Sequence, residues 1–341
     1  MQDRYAGDIG DLAKFALLRA LGGDGLRLGV VWYLNINEEE NRDGSHTEYD
    51  LVFLDPDTGL APASAHPSRR ESAKYAYLGE VARFHSKQRS VVVYQHQRRT
   101  SIERQVENQL PDLQTIAPSA WAISFHPRSA RIFYVLPANE EHESLLWSKC
   151  MELIAGPWGC GNRFRLHRDV YVFGYGSLLW GTGEVEVVSE QAGYLDGWHR
   201  EWTWISASRH GAPTASLALG GRVYGKFLQL TPTTLTSDLE AFRRRERRAT
   251  EQIRTNFPVP GAVTYYWTMG SNLDRFPEFG GVSGSALTTA LARRALSVQR
   301  VGRDGVKPED YIRRVHAFDP EDSSTAAMVR ALDALKDASE P

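Results

Sequence analysis

The sequence predicts two joined domains of different class. Residues 1–153 read as an α/β domain with a mostly parallel sheet of reduced Rossmann type, and residues 169–320 as an α+β domain with a small antiparallel sheet or barrel. Three observations lead there. The chain has 341 residues, 42% hydrophobic and 24% charged, enough for two ordinary cores. In the first half, continuous apolar runs alternate with helix-prone stretches, as expected of strands buried on both faces. In the second half, β-branched and aromatic runs dominate and helices are few.

The first helix is signalled by Asp11 as N-cap, by Leu12, Phe15, Leu18 and Leu21 on neighbouring turns, and by Gly22-Gly23 as the stop. Strands follow at Leu28–Leu34 and Leu51–Leu54, separated by an acidic loop over 38–44. The second strand ends in Asp55-Pro56-Asp57-Thr58-Gly59. A helix-prone segment from Ala73 to Phe84 precedes a third strand, Ser90–Tyr94. A polar helical stretch and two strands, near Trp121–Phe125 and Arg131–Leu136, close this half. Residues 154–168 carry Gly156-Pro157, Gly159, Gly161, Arg163, Arg165 and Arg168, and read as a linker.

Beyond it, Val170–Phe173 is a strand that runs into the turn Gly174-Tyr175-Gly176-Ser177-Leu178-Leu179-Trp180. Trp198, Trp202, Trp204 and Ile205 mark one further strand, and Val223, Tyr224 and Phe227 another. Ser237 or Asp238 caps a helix containing Leu239 and Phe242, and Val263–Trp267 is a strand. Residues 321–341 read as a C-terminal helix or tail. The later Met269-Gly270-Ser271-Asn272-Leu273 follows the wrong strand for a second turn of this kind and reads as a loop.

Composition excludes several classes. A formal net charge of −2 gives no attraction to nucleic acid or acidic membranes. Arg243, Arg244, Arg245, Arg247 and Arg248 are flanked by acids, which suits a solvated or substrate-facing helix better than a nucleic-acid surface. The two cysteines, Cys150 and Cys160, lack zinc spacing, and the histidines show no metal-ligand pattern, so no metal is expected. The opening Met1-Gln2-Asp3-Arg4 is not a secretory signal, and no apolar run approaches the roughly 20 residues that span a bilayer. The expectation is a soluble, cytoplasmic protein.

Two glycines in Gly174-Tyr175-Gly176 let successive N–H groups converge on one point, which suits a carboxylate or an oxyanion. The order of that turn, Leu195–Arg200, Gly225 within a strand, and Arg245-Glu246 after a helix resembles the γ-glutamyl cyclotransferase superfamily, closest to its bacterial ChaC-like branches, over roughly residues 168–316. The resemblance implies that Tyr175, Gly176, Ser177 and Leu178 cradle the glutamyl part of the substrate, and that Glu246 is the catalytic carboxylate. The implied reaction is cyclisation of a γ-glutamyl amide to 5-oxoproline and an amine. The implied partner is a small molecule: a γ-glutamyl amino acid, a γ-glutamylamine or glutathione. One carboxylate can take a proton from the α-amine and return it to the leaving amine. No cofactor, metal or protein nucleophile is needed. Partial burial is expected to raise the pKa of Glu246. The chain departs from the family after the glutamate, where Arg247-Arg248-Ala249-Thr250 replace a stretch that often holds a tyrosine.

In the first half, Asp55-Pro56-Asp57-Thr58 is similar to the Asp-Pro-Pro-aromatic motif of amino-methyltransferases, with the second proline and the aromatic missing. This resemblance implies a shortened, degenerate methyltransferase-like domain, with Asp55 and Asp57 as its candidate site. The competing expectation for the whole chain is a γ-glutamyl-type binding module without turnover, fused to an S-adenosylmethionine-dependent methyltransferase-like or nucleic-acid-associated domain.

Overall fold

A computed structural model describes residues 9–22, 25–33, 49–62, 65, 74–126, 130–159, 163–302 and 305–338. The acidic loop over 38–44, the opening residues 1–4, Ala73 and Cys160 lie outside the described residues. The chain divides into two compact units. The first is Met1–Asp169 with Pro232–Thr236 and Thr255–Val263; the second is Val170–Thr231, Ser237–Arg254 and Thr264–Pro341.

In the first unit, helix α1 (Ile9–Leu21) leads to strands β1 (Leu28–Trp32) and β2 (Leu51–Asp55). A two-residue ladder, β3 (Gly59–Leu60) with β4 (Tyr75–Ala76), precedes α2 (Leu78–His85) and β5 (Ser90–His96). Then come α3 (Ile102–Gln114), β6 (Trp121–Phe125), β7 (Arg131–Leu136), α4 (Glu140–Ala155) and β8 (Phe164–His167). The sheet order is β1-β2-β5-β7-β6-β8. Every residue of β2, β6 and β7 is buried, as their unbroken apolar runs require. On one face Val52, Leu54, Val91, Val93 and Ile132 pack with Val81 and Phe84 of α2 and Ile102 and Val106 of α3. On the other, Trp121 meets Trp147 of α4 edge-on, with ring centroids 6.0 Å apart.

Three of the expectations need correction here. The sheet is mixed rather than mostly parallel: β1/β2 and β2/β5 pair parallel, whereas β5/β7, β6/β7 and β6/β8 pair antiparallel. The connection over 126–130 is too short for a parallel crossover, which needs a dozen or more residues, so β6 and β7 form a hairpin and β7 inserts between β5 and β6. The segment 154–168 is not a linker, because it contains β8. There Phe164 and Leu166 are buried, while the alternate Arg165 and His167 gave the stretch its polar look. Arg168 is buried too; it bonds to Glu143 of α4 and stacks against the rings of Trp121 and Trp147. Finally, the helix expected from Ala73 begins only at Leu78, since Tyr75 and Ala76 are taken up in β4.

One buried polar cluster in this unit makes its stability depend on pH. Ser124 Oγ lies 2.7 Å from Nε2 of both His126 and His167. Burial pushes His167 down to about 4 and holds His126 below its ordinary value. The unfolded chain therefore binds more protons than the folded one as pH falls below about 6.5. Stability present above that pH is lost progressively and levels off near pH 4, with roughly 3 kcal/mol coming from His167. Denaturant midpoints measured between pH 7.5 and 4 should show this slope, and His167→Gln should flatten it.

In the second unit the sheet order is β10-β11-β9-β13-β12, with β9 (Val170–Gly174), β10 (Val187–Ser206), β11 (Ala212–Leu230), β12 (Thr250–Thr255) and β13 (Val263–Thr268). β10 and β11 form a long antiparallel ribbon with register shifts at Asp196/Trp198 and Glu201/Trp204. Helix α5 (Leu235–Arg245) starts ahead of the expected cap at Ser237 or Asp238. Helices α6 (Gly284–Ser297), α7 (Pro308–Phe318) and α8 (Ser323–Asp337) share a core with the ribbon. Leu291 and Ala295, Tyr311, Ile312 and Val315, and Met328 and Leu332 meet Trp202 and Ile205 there. The C-terminal segment is thus a core helix, capped by the Asp322 carboxylate, which accepts from the N–H groups of Ser324 and Thr325. Met269–Asn272 is a loop, as expected, in which the Asn272 side chain brackets Ile205 with two hydrogen bonds. Among the described residues, no helix is long and apolar enough to cross a membrane.

Candidate active site

The glycine turn leaves the end of β9, and close packing sets its shape. A Cβ on Gly174 would stand 2.6 Å from Leu178 Cβ, and one on Gly225 of β11 would stand 2.4 Å from the Phe173 ring. Gly176 faces α7 just as tightly, because a Cβ there would meet the Tyr311 hydroxyl at 2.8 Å. After Gly176 the chain makes a single 3-10 turn over Ser177–Leu179, closed by the Leu179 N–H on the Gly176 carbonyl at 3.0 Å. A helical start leaves its first N–H groups without intrahelical acceptors. Among the described residues, the N–H groups of Gly176, Ser177 and Leu178 have no acceptor. Gly225→Ala should cost about 1–3 kcal/mol through overpacking of Phe173, read as a lower denaturant midpoint.

The expected cradle residues occupy distinct environments. The Tyr175 hydroxyl donates to the Trp267 carbonyl at 2.8 Å, so it ties the turn to β13. Leu178 is buried beneath Gly174. Ser177 Oγ accepts from Arg245 Nη2 at 2.8 Å, and Arg245 Nη1 donates to the Gly181 carbonyl at 2.9 Å.

Glu246 follows Arg245 at the end of α5. Its N–H bonds the Phe242 carbonyl at 2.8 Å, and its own carbonyl accepts from Ala249 at 2.7 Å, so the residue sits where helix becomes tight turn. Arg245 Nε lies 3.5 Å from Glu246 Oε1, and about a quarter of the Glu246 side chain is exposed (24%). Burial raises its pKa above the ordinary carboxylate value, and the charges of Arg245 and Arg209 oppose that rise. Burial, together with the Glu246 charge, also lifts the phenols of Tyr175 and Tyr311, so both remain neutral donors.

Three further residues shape the site: Arg200, which closes the segment Leu195–Arg200 of the resemblance but had no role assigned to it, and Tyr311 and Arg209, which the sequence did not single out. Arg200 of β10 is 1% exposed. It donates to the Tyr175 carbonyl at 3.1 Å, the Tyr224 carbonyl at 2.8 Å, and Asp319 and Asp322 at 3.0 Å each. It fastens the turn to the ribbon and to the ends of α7 and α8. Tyr311 stands behind Gly176 with Trp180 and Trp202 edge-on against its ring, at 5.4 and 5.6 Å. Arg209 stacks over the same ring at 3.7 Å.

Asp55 and Asp57 belong to the first unit. Asp55 is buried at the end of β2, with Lys14 Nζ at 2.8 Å; the same ammonium lies 4.0 Å above the Tyr94 ring. Asp57 is exposed. Cys150 is buried and its thiol is pushed up to about 12, so it is no nucleophile. Among the described residues, no group of three or more His, Cys, Asp or Glu side chains could hold a metal ion.

No family model matches the chain. It is 36% identical over 111 residues to a curated protein, the glutathione-specific γ-glutamylcyclotransferase of Escherichia coli (strain K12). That match takes in 30% of this chain and 46% of the relative, so the chain spans about half the length of the curated protein it matches. Among solved structures, a glutathione-specific γ-glutamyl cyclotransferase from yeast aligns over 49% of this chain and 97% of its own, at 12% identity and a TM-score of 0.37. YkqA from Bacillus subtilis aligns over 58% and 88%, at 10% identity and a TM-score of 0.24. Over those 111 residues, the chain is similar in sequence to that γ-glutamylcyclotransferase.

Proposed function

We propose that the second unit cyclises a γ-glutamyl amide, releasing 5-oxoproline and a free amine, with Glu246 moving the proton. One observation carries the reading: the Arg245 guanidinium donates to Ser177 Oγ at 2.8 Å and lies 3.5 Å from the Glu246 carboxylate. A single side chain thus joins the glycine turn to a carboxylate that burial has made more basic.

The chemistry follows from those parts. The α-ammonium of the substrate must lose a proton before its nitrogen can attack the γ-carbonyl, and Glu246 receives it. The new C–N bond closes the five-membered lactam and the old amide C–N bond breaks. Glu246 returns a proton to the departing nitrogen. During attack the γ-carbonyl oxygen becomes an oxyanion, and the N–H groups of Gly176, Ser177 and Leu178, which have no acceptor among the described residues, are the donors assigned to it in this reading. Holding amine and carbonyl in contact supplies the rest of the acceleration.

Glutathione, named for the Escherichia coli relative, is one substrate to test, beside γ-glutamyl amino acids and γ-glutamylamines. The protein is incubated with one compound of each kind and 5-oxoproline is quantified by liquid chromatography. Release from at least one class is expected. A folded protein that releases none would instead favour a binding module that keeps the cradle without turnover.

A further inference from the structure

We infer that the second unit binds a free α-amino acid, the kind of amine that a γ-glutamyl amino acid would release, in a cavity separate from the glycine turn. The origin of the ligand rests on the cyclotransferase reading above; the cavity does not. It has a volume of about 160 Å³ and lies between the β10–β11 ribbon and the corner that joins α7 to α8. A cavity of about 150 Å³ admits benzene, so this one has room for a small amino acid.

Its charge is divided between two walls. Asp319, Glu321 and Asp322 line it from the corner, and Arg200 and Arg222 from the ribbon. Three carboxylates against two guanidiniums leave one negative charge in excess, which suits a cation. The cation is an organic ammonium, since no group of acids among the described residues could hold a metal ion. Asp319 meets Arg200 through Oδ2 at 3.0 Å, and its Oδ1 has no side-chain partner among the described residues.

On the ribbon, stacked rings position the facing charge. The Arg222 guanidinium lies 4.2 Å above the Tyr194 ring, whose centroid is 4.9 Å from that of Tyr224. Tyr224 stacks in turn on Phe318 at 5.4 Å. Arg222 is exposed, and among the described residues its guanidinium has no hydrogen-bond acceptor. Stacking engages the face of a guanidinium, whereas a carboxylate pairs with its N–H edge. An α-amino acid carries both complements on one carbon, an ammonium for Asp319 and Glu321 and a carboxylate for Arg222. Neither charge is then buried unpaired. The nitrogen that leaves a γ-glutamyl amide is uncharged until its C–N bond breaks, so this pairing selects the released amino acid.

One side chain joins the cavity to the turn. Arg200 Nη1 meets Asp319 and Asp322, while its Nε donates to the Tyr175 carbonyl at 3.1 Å. An ammonium beside Asp319 draws on a carboxylate that holds Arg200, so an occupied cavity should slacken the turn and slow turnover.

Equilibrium dialysis with ¹⁴C-labelled L-alanine tests the site. One equivalent should bind, and ethylamine and propionate, each lacking one of the two charges, should compete at least about tenfold more weakly. Arg222→Gln and Glu321→Gln alter exposed side chains and should leave folding and basal turnover unchanged. Each should weaken alanine binding by about fivefold, the scale of an exposed ion pair, and the double variant should lose it. In the native protein L-alanine should lower kcat without raising KM, and the double variant should resist it. Alanine that binds the native and double-variant proteins equally, or that raises only KM, sits elsewhere and overturns the inference, as does no binding at all. A protein that binds alanine through Arg222 and Glu321 but releases no 5-oxoproline would uphold the site and sink the proposed reaction instead.

Discussion

Glu246→Gln should lower 5-oxoproline release by a factor of about 10²–10⁴ while leaving the protein folded, because the amide keeps the shape of the carboxylate and cannot accept a proton. The site's electrostatics add two expectations. Since burial raises the Glu246 pKa, the acidic limb of the kcat/KM profile should lie above the ordinary carboxylate value. The base is ionised only above that limb, so activity should be lost as pH falls through it. The stability effect has the opposite sign. A carboxyl with a raised folded pKa binds more protons folded than unfolded, so ionising it at neutral pH costs stability. Glu246→Gln should therefore match or exceed the native protein in denaturant midpoint at pH 7. That pairing of lost turnover with retained stability is what a functional carboxylate predicts, and a merely structural one would not produce it.

The second large effect is expected at Arg200. Its guanidinium is fully buried and meets two carboxylates, Asp319 and Asp322, whose side chains are 10% and 14% exposed. Removing the cation leaves both acids without their charge partner and the Tyr175 carbonyl without a donor. Breaking such a pair from one side costs about 3–5 kcal/mol, well above the value of a surface ion pair. Arg200→Met should therefore lower the unfolding free energy by that amount, read as a lower denaturant midpoint. Arg200→Lys should recover little, because one ammonium cannot reach four acceptors spread around a planar fork. Activity should fall with it, since the turn at Tyr175 loses its anchor to β10.

What could be read in advance follows the physics of each feature. Strands such as Leu51–Asp55 and Trp121–Phe125 are unbroken apolar runs because both faces are covered, and this pattern is visible in the letters. β8 was hidden, because Arg165 and His167 on its alternate face and the glycines ahead of it imitate a linker. Helix α4 was also missed, since its polar residues obscure the buried Leu146, Trp147, Cys150 and Leu153. β7 has the same apolar look whichever way it runs, and only the short connection from β6 points to its antiparallel pairing.

At the candidate site, the turn at Tyr175–Leu178 and the Arg245-Glu246 pair are local strings and can be read as such. Arg200, Arg209 and Tyr311 are not. Arg200 meets Asp319 across 119 positions of sequence, and Arg209 meets Tyr311 through a stack that only the packing of α7 creates. Side chains that act through distant tertiary contacts leave no spacing to find.

The measurement that bears most directly on the account is isotope tracing in H₂¹⁸O with a γ-glutamyl dipeptide. Intramolecular attack predicts 5-oxoproline carrying no ¹⁸O, formed in equal amount to the released amine and lost in Glu246→Gln. Glutamate carrying one ¹⁸O in its γ-carboxylate would mean that water, not the α-amine, attacks the γ-carbonyl, and would contradict the cyclisation.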